Sequence, residues 1–166
     1  IDIMKIHAAG KPFTKEVDWD KVAKRTVGFS GADLENMLNE AAIFAARHAK
    51  VDIDMSDIEE AATKVKLGPA KKRIQSDMDK KLTAYHEAGH ALVSSVLPYA
   101  DPVHKISIIS RGRAAGYTLK LPFDDKKMQS KKQFEDDIAA TLVGYVAEEM
   151  VFGDITTGPS NDLAVL

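Results

Sequence analysis

A breaker pair, Gly68-Pro69, divides the sequence into two parts. Proline lacks a backbone donor and clashes with the preceding helical turn, so a helix is expected to end before position 69. The charged run that follows the pair is typical of a connector. A length of 166 residues suits one ordinary domain or two small ones. We therefore predict a first domain over 1–68, a linker over 69–75 and a second domain over 76–166.

The first part contains signals for four helices. Two of them are capping boxes, in which a side chain and the one three positions later satisfy the free amides at a helix start. These pairs are Ser30 with Asp33 and Ser56 with Glu59. The other two helices are expected near the N-terminus, where Ile3, Met4, Ile6 and His7 share one face, and after Asp18 or Asp20. The first part is predicted to be a compact helical unit with Trp19 as a packing anchor.

The second part is also predicted to be mainly helical. One long helix is expected over 77–97, where Pro98 ends it, and another over 130–153, where apolar residues repeat every fourth position. Between them, 103–110 and 115–121 have the composition of short strands and predict a small β hairpin or sheet. A polar loop over 156–162 leads towards a further helix. The predicted fold class is mainly α.

Composition excludes several classes of function. The formal charge is −2, and charged residues of both signs are spread evenly along the chain. The chain therefore lacks the basic patch expected of a protein that binds nucleic acid or an anionic membrane. There is no cysteine, which excludes disulfides, thiolate nucleophiles and cysteine metal sites. No apolar run reaches the length of a transmembrane helix, and the sequence as written is expected to be soluble.

The strongest chemical signal is the stretch His86-Glu-Ala-Gly-His90. Residues four apart lie on one face of a helix, so the two imidazoles can bind one metal ion. Glu87 points partly off that face, where it can reach a water at the metal and accept a proton from it. The apolar flanks of the motif predict that its helix is buried. These features together predict a hydrolytic zinc site.

The residues alone leave the third protein ligand open. Val96 stands where a metzincin would carry its third histidine, which excludes that class. Asp101 lies between two prolines, roughly 16 Å along the helix direction from the motif, and is a poor candidate. Glu148, Glu149 and Asp162 remain as candidates, all distant in sequence.

Several segments, taken together and in order, resemble the FtsH-type, membrane-anchored, ATP-dependent zinc metalloproteases of bacteria, mitochondria and chloroplasts. The resemblance covers the whole chain, as the last helical part of an AAA+ module followed by the N-terminal part of the peptidase domain. The matching segments are 27–42, 85–91, 101–107, 116–119, 147–149 and 157–162.

The resemblance implies a role for particular residues of the second part. Zinc is then held by His86, His90 and Asp162, and Glu87 is the general base. Glu148 becomes a carboxylate that orients a metal ligand or a neighbouring charge. An edge strand is expected to pair with an extended protein substrate through its backbone. Its residues are Gly116, Tyr117, Thr118 and Leu119.

For the first part, the resemblance implies the helical lid of an AAA+ ATPase. Such lids touch the adenine and ribose of a bound nucleotide, here through Ile3, His7, Gly31 and Ala32. The full-length parent is expected to use ATP and Mg²⁺, to form a homo-hexamer and to degrade membrane and soluble proteins. It is expected to be anchored in a bacterial inner membrane, facing the cytoplasm, or in an organellar inner membrane. The present sequence has no GxxxxGK[ST] phosphate loop and is not expected to hydrolyse ATP unaided.

Two departures from the family pattern stand near the proposed site. Tyr145 occupies the position where the family usually has arginine, and Pro159 replaces the usual alanine. A second hypothesis therefore remains open, in which the chain is a non-catalytic assembly module of a hexameric AAA+ complex.

Overall fold

The computed structural model describes residues 1–72, 74–112, 114–122 and 128–165. The chain divides into two compact units, Ile1–Pro69 and Ala70–Leu166. Helices dominate the described residues of both, and the second unit also contains a small sheet, so the predicted fold class is confirmed. Arg73 of the predicted linker and Leu166 at the C-terminus lie outside the described residues.

The first unit consists of four helices in its described sequence. They are α1 (Asp2–Ala8), α2 (Trp19–Arg25), α3 (Gly31–Arg47) and α4 (Met55–Leu67). The core lies mainly between α3 and α4, where apolar residues spaced three or four apart are fully buried on both helices. The largest of these are Met37, Leu38 and Ile58. Trp19 packs edge-on against Phe13 at 5.1 Å between ring centroids, as its predicted anchoring role requires.

The predicted start of α4 is wrong by two residues. The cap is Asp54, whose carboxylate accepts hydrogen bonds from the amides of Ser56 and Asp57, and Asp57 reaches back to the Asp54 amide. Asp54 offers an acceptor equivalent to that of Ser56 at an earlier position and also pairs with Lys50. Glu59 instead forms an ion pair with the buried Arg25. The capping box at Ser30 and Asp33 is present as predicted.

The predicted apolar face of α1 is only partly used. Met4 is buried in the core, whereas Ile3 and Ile6 are exposed. A helix of two turns presents one or two positions to its neighbour, so four residues on one face exceed what it buries.

The described residues of the second unit form three helices and a two-stranded sheet. Its elements are α5 (Asp77–Val96), β1 (Val103–Ser107), β2 (Tyr117–Lys120), α6 (Lys131–Phe152) and α7 (Ser160–Val165). The two strands pair in antiparallel fashion, with a register shift between Val103 and Lys105. Both strands are shorter than predicted. Ala70, assigned to the linker, forms an isolated bridge with Arg111.

Small residues let α5 and α6 approach each other closely. A Cβ on Gly89 would lie 3.0 Å from Cβ of Ala147, and one on Gly144 would lie 2.3 Å from Cε1 of His86. Side chains at these positions would push the helices apart. The close approach places the ring of His86 directly against the backbone of α6.

The prediction that the motif helix is buried holds for one face only. His86, Glu87 and Ser94 are buried on α5, whereas Tyr85 and Leu92 are exposed. The apolar residues at every fourth position correctly predict the helix α6, but most of these apolar side chains are exposed. The buried positions of α6 are Ala140, Gly144 and Glu148. None of the helices in the described parts of the chain is both long and apolar enough to cross a membrane.

Candidate metal centre

Two histidines and one aspartate of the second unit converge on a single point. His86 and His90 lie one turn apart on α5, and Asp162 lies in the first turn of α7. The Nε2 atoms of the two rings are 3.0 Å apart. Oδ2 of Asp162 lies 3.1 Å from Nε2 of His86 and 3.4 Å from Nε2 of His90. Within the described residues, this is the group of side chains whose geometry suits a metal ion.

The outer hydrogen bonds of the two rings determine which nitrogen carries the proton. Nδ1 of His86 lies 3.0 Å from Oε1 of Glu148, and Nδ1 of His90 lies 2.7 Å from the carbonyl oxygen of Ala140. Carbonyl and carboxylate oxygens accept, so both Nδ1 atoms donate. Each neutral ring then presents an unprotonated Nε2, and neither ring can donate a hydrogen bond to the other. Both lone pairs are available to a cation.

The donor set fits zinc. Oδ2 of Asp162 is buried and has no hydrogen-bond partner among the described residues, so three electron-pair donors face each other with no proton between them. Ligand atoms of a tetrahedral zinc site lie about 3.3 Å apart, because zinc–nitrogen and zinc–oxygen bonds are about 2.0–2.2 Å long. The observed separations of 3.0–3.4 Å are close to this value. A cation at this point would satisfy the buried oxygen and both rings.

Glu87 lies beside this group on a different side of α5. Its carboxylate is buried, and Oε2 accepts a hydrogen bond of 2.8 Å from the hydroxyl of Thr118 on β2. Burial raises the pKa of the Glu87 carboxyl, and the hydrogen bond from Thr118 opposes that rise. A Cβ on Gly116 would lie 2.9 Å from Oε1 of Glu87. Gly116 therefore keeps the space next to this second oxygen open.

Glu148 lies on the other side of His86, away from the converging atoms. It is 2% exposed, and its Oε2 accepts hydrogen bonds from the amide and the hydroxyl of Thr156. With His86 on Oε1, the buried carboxylate has three donors. Of the three carboxylates that the sequence left open as ligands, Asp162 reaches the point where the rings converge, Glu148 contacts the far side of one ring, and Glu149 is exposed.

A cleft of about 280 Å³ contains the converging atoms and borders β2. Gly116, Tyr117 and Thr118 line it, but the side chains of the strand are mostly engaged elsewhere. Tyr117 and Leu119 are buried, and Thr118 contacts Glu87. Within the described residues, β2 pairs with β1 alone. The backbone of β2 is therefore the main part of the strand that is available to a ligand.

The residues proposed for nucleotide contact lie in the first unit. Ile3 and Gly31 are neighbours, since a Cβ on Gly31 would lie 3.9 Å from Cγ2 of Ile3. Ile3 and Ala32 are exposed, and His7 and Gly31 are half-buried. The structure thus brings the start of α3 next to α1.

Sequence reasoning did not identify Gly144 as part of the site. A glycine in the middle of a helix costs roughly 0.5–1 kcal/mol relative to alanine, so its presence signals a close approach. Here the approaching group is the imidazole of His86. The signal was available in the sequence, but the identity of the partner was not.

Comparison with known proteins identifies the family. Residues 73–166 match the model of Peptidase family M41, and this match covers more than half of the chain. The chain belongs to peptidase family M41. The M41 match contains α5, α6, α7 and both strands, and therefore every residue of the converging group. Residues 16–60 match the AAA+ lid domain.

Similar curated proteins are named ATP-dependent zinc metalloprotease FtsH or FtsH 1. An "ATP-dependent zinc metalloprotease FtsH 1" of Sphaerobacter thermophilus is 52% identical over 162 residues, which is 97% of this M41 chain and 25% of that protein. One from Thermoanaerobacter sp. is 52% identical over 98% of the chain and 27% of its own length. An "ATP-dependent zinc metalloprotease FtsH" of Veillonella parvula is 51% identical over 97% of the chain and 25% of its own length. The chain thus spans about a quarter of the length of these curated relatives.

Proposed function

We propose that the second unit is the zinc-binding part of a metalloendopeptidase, with His86, His90 and Asp162 as the protein ligands. The observation that carries this proposal is the convergence of the Nε2 atoms of two rings, each held at Nδ1 by an oxygen acceptor, on a buried carboxylate oxygen that has no hydrogen-bond partner among the described residues. The M41 match and the printed names of the relatives support the same function.

Glu87 is the general base of this proposal. Zinc bound at the site would polarise a peptide carbonyl and make water easier to deprotonate. Oε2 of Glu87 is occupied by the hydroxyl of Thr118, so Oε1 is the atom that takes the proton. The same oxygen then delivers the proton to the leaving amine.

The substrate is an extended polypeptide that pairs with β2. The strand borders the cleft, and within the described residues its second edge has no strand partner. Backbone pairing at a sheet edge binds many sequences, because the hydrogen bonds do not depend on the side chains. Residues 116–119 are therefore proposed to bind substrate through their main chain. Glu148 is proposed to hold His86 in the orientation that metal binding needs.

The deciding experiment separates metal binding from hydrolysis. Chelator-dialysed chain is titrated with Zn²⁺ and then given casein, an unstructured protein. We expect one zinc per chain, loss of binding in His86→Ala, and cleavage that falls by about 10²–10⁴-fold in Glu87→Gln with zinc retained. The exposed Glu149→Gln is the matched control and should behave like the parent chain.

Each outcome of this experiment has a consequence. Absence of zinc binding by the parent chain would overturn the metal site. Zinc binding without any cleavage would overturn the peptidase proposal and favour the alternative, a non-catalytic assembly module. Unchanged cleavage in Glu87→Gln would overturn the role of Glu87 alone.

For the first unit, we propose the role of an AAA+ lid in a longer, membrane-anchored protein. That protein is proposed to assemble as a homo-hexamer and to use ATP with Mg²⁺ to degrade membrane and soluble proteins. The lid match and the names of the relatives support this proposal. Ile3, His7, Gly31 and Ala32 are then expected near the adenine and ribose. Millimolar ATP should shift the amide resonances of these four residues, whereas those of α4 should not move. The reverse pattern would contradict these nucleotide contacts.

A further inference from the structure

We propose that Thr156, to which the sequence motifs assigned no role, is a positioning residue that holds the Asp162 segment against Glu148 and, through it, against His86. This inference rests on the proposed metal site. It names the residue that links a ligand supplied by α7 with a ligand supplied by α5.

The link runs through the two oxygens of one buried carboxylate. Oε1 of Glu148 accepts from Nδ1 of His86 at 3.0 Å. Oε2 accepts from the Thr156 amide at 2.9 Å and from the Thr156 hydroxyl at 2.8 Å. A buried carboxylate that lost one of these donors would carry an unsatisfied charge, so the three bonds stabilise one another. Thr156 supplies two of them.

The Thr156 hydroxyl also organises the turn that leads into α7. Its Oγ1 accepts a hydrogen bond of 3.0 Å from the amide of Gly158 while it donates to Glu148. A Cβ on Gly158 would lie 3.0 Å from Oε1 of Glu148, so this turn passes directly over the carboxylate. The carbonyl of Thr157 then accepts from the amide of Ser160, the first residue of α7.

The position of Asp162 depends on this turn because α7 is too short to be stable by itself. The helix has six residues, well below the length at which isolated helices form in water. The contacts of the preceding turn therefore hold it in place together with its packing on α6. Removing the Thr156 hydroxyl frees the turn and leaves Glu148 with fewer donors, which loosens both Asp162 and His86. Partners behind metal ligands typically change metal affinity by about 10–100-fold.

The chain offers a matched pair of threonines for the test. Thr156→Val removes the hydroxyl and keeps the shape, and Thr157→Val makes the same change at the next residue, which is exposed as Thr156 is. Zinc affinity is measured by competition with a chromophoric chelator. We expect a Kd about 10–100-fold higher in Thr156→Val, and values close to the parent in Thr157→Val and in Thr156→Ser, which restores the hydroxyl.

A double-mutant cycle tests whether Thr156 acts through Glu148. In a Glu148→Gln background, Thr156→Val should weaken zinc binding by much less than it does in the parent chain, because the partner of the hydroxyl is already altered. Equal losses in both backgrounds would overturn the coupling. An unchanged zinc Kd in Thr156→Val would overturn the positioning role.

A measurement without metal separates this inference from the proposed function. The amides of Ser160 and Leu163 donate to the carbonyls of Thr157 and Pro159, and their hydrogen exchange is measured after the chain has been dialysed against chelator. Thr156→Val should accelerate their hydrogen exchange by about tenfold or more, and Thr157→Val should not. If the parent chain bound no zinc, the metal site would fall, and exchange would still decide whether Thr156 holds the segment.

Discussion

Gly144 lacks a side chain, and the ring of His86 occupies the space that a Cβ would fill. Gly144→Ala should therefore raise the zinc Kd by about tenfold or more, because a methyl group 2.3 Å from Cε1 forces the ring of His86 to move. Alanine favours helix by up to about 1 kcal/mol, so α6 itself should remain folded. Circular dichroism checks the helix, and chelator competition measures the zinc affinity. An unaltered Kd with intact helix content would contradict the proposed contact.

Thr118 is proposed to pair with substrate through its main chain, and its hydroxyl donates a hydrogen bond to Glu87. Thr118→Val should therefore lower kcat for peptide cleavage by about tenfold and leave KM and zinc affinity nearly unchanged, because the loss falls on the orientation of the base. Thr118→Ser should restore kcat. A rise in KM with constant kcat would instead indicate that the hydroxyl binds substrate.

Local patterns predicted the elements better than their packing. The predicted capping box at Ser30 is present because a cap involves residues within one turn. At α4 two candidate cap residues, Asp54 and Ser56, lie two positions apart, and the sequence did not indicate that Lys50 would favour the earlier one. Which side chains of α6 are buried depends on its neighbour α5, and a periodic pattern does not contain that information.

The cap of α4 provides a stability prediction at the scale of one element. Asp54→Ala should lower the free energy of unfolding of the first unit by about 1 kcal/mol, because two amides lose their acceptor. Ser56→Ala, at the cap predicted from sequence, should cost much less. Trp19 is the single tryptophan of the chain and lies in this unit, so its fluorescence during urea titration reports the change. Equal losses in the two variants would contradict the observed cap.

The same cap predicts a dependence on pH. The hydrogen bond from Lys50, followed by the one from Ser56, holds the pKa of the Asp54 carboxyl well below its usual value. A group whose pKa is lower in the folded state stabilises that state above its unfolded pKa of about 4, and the stabilisation is lost as the pH falls. The difference in stability between the parent and Asp54→Asn should therefore shrink on acidification from pH 6 to pH 2. A constant difference over this range would contradict the assigned shift.

At the scale of the whole molecule, the proposed site depends on contacts between residues far apart in sequence. The sequence predicted the two histidines and Glu87 as parts of the site, because helical periodicity relates positions 86–90 directly. The sequence could not distinguish Glu148 from Asp162 as the third ligand, because each lies many residues away from the motif. Both carboxylates contact the imidazole of His86. In the structure one approaches Nδ1 of His86 and the other approaches Nε2. The two carboxylates differ in the ring nitrogen they face, which tertiary structure alone determines.

The two units contain separate spectroscopic reporters, which allows a final prediction about metal and stability. All four tyrosines lie in the second unit with every proposed zinc ligand, and Trp19 lies in the first. A ligand that binds only the folded state stabilises it by about 2.7 kcal/mol at 100 times its Kd. Zinc should therefore move the tyrosine-detected unfolding midpoint to higher urea, and His86→Ala should abolish this shift, while the Trp19 transition serves as the internal reference. A tyrosine transition indifferent to zinc in the parent chain would mean that the ion does not bind the folded second unit, because stabilisation is an obligatory consequence of such binding.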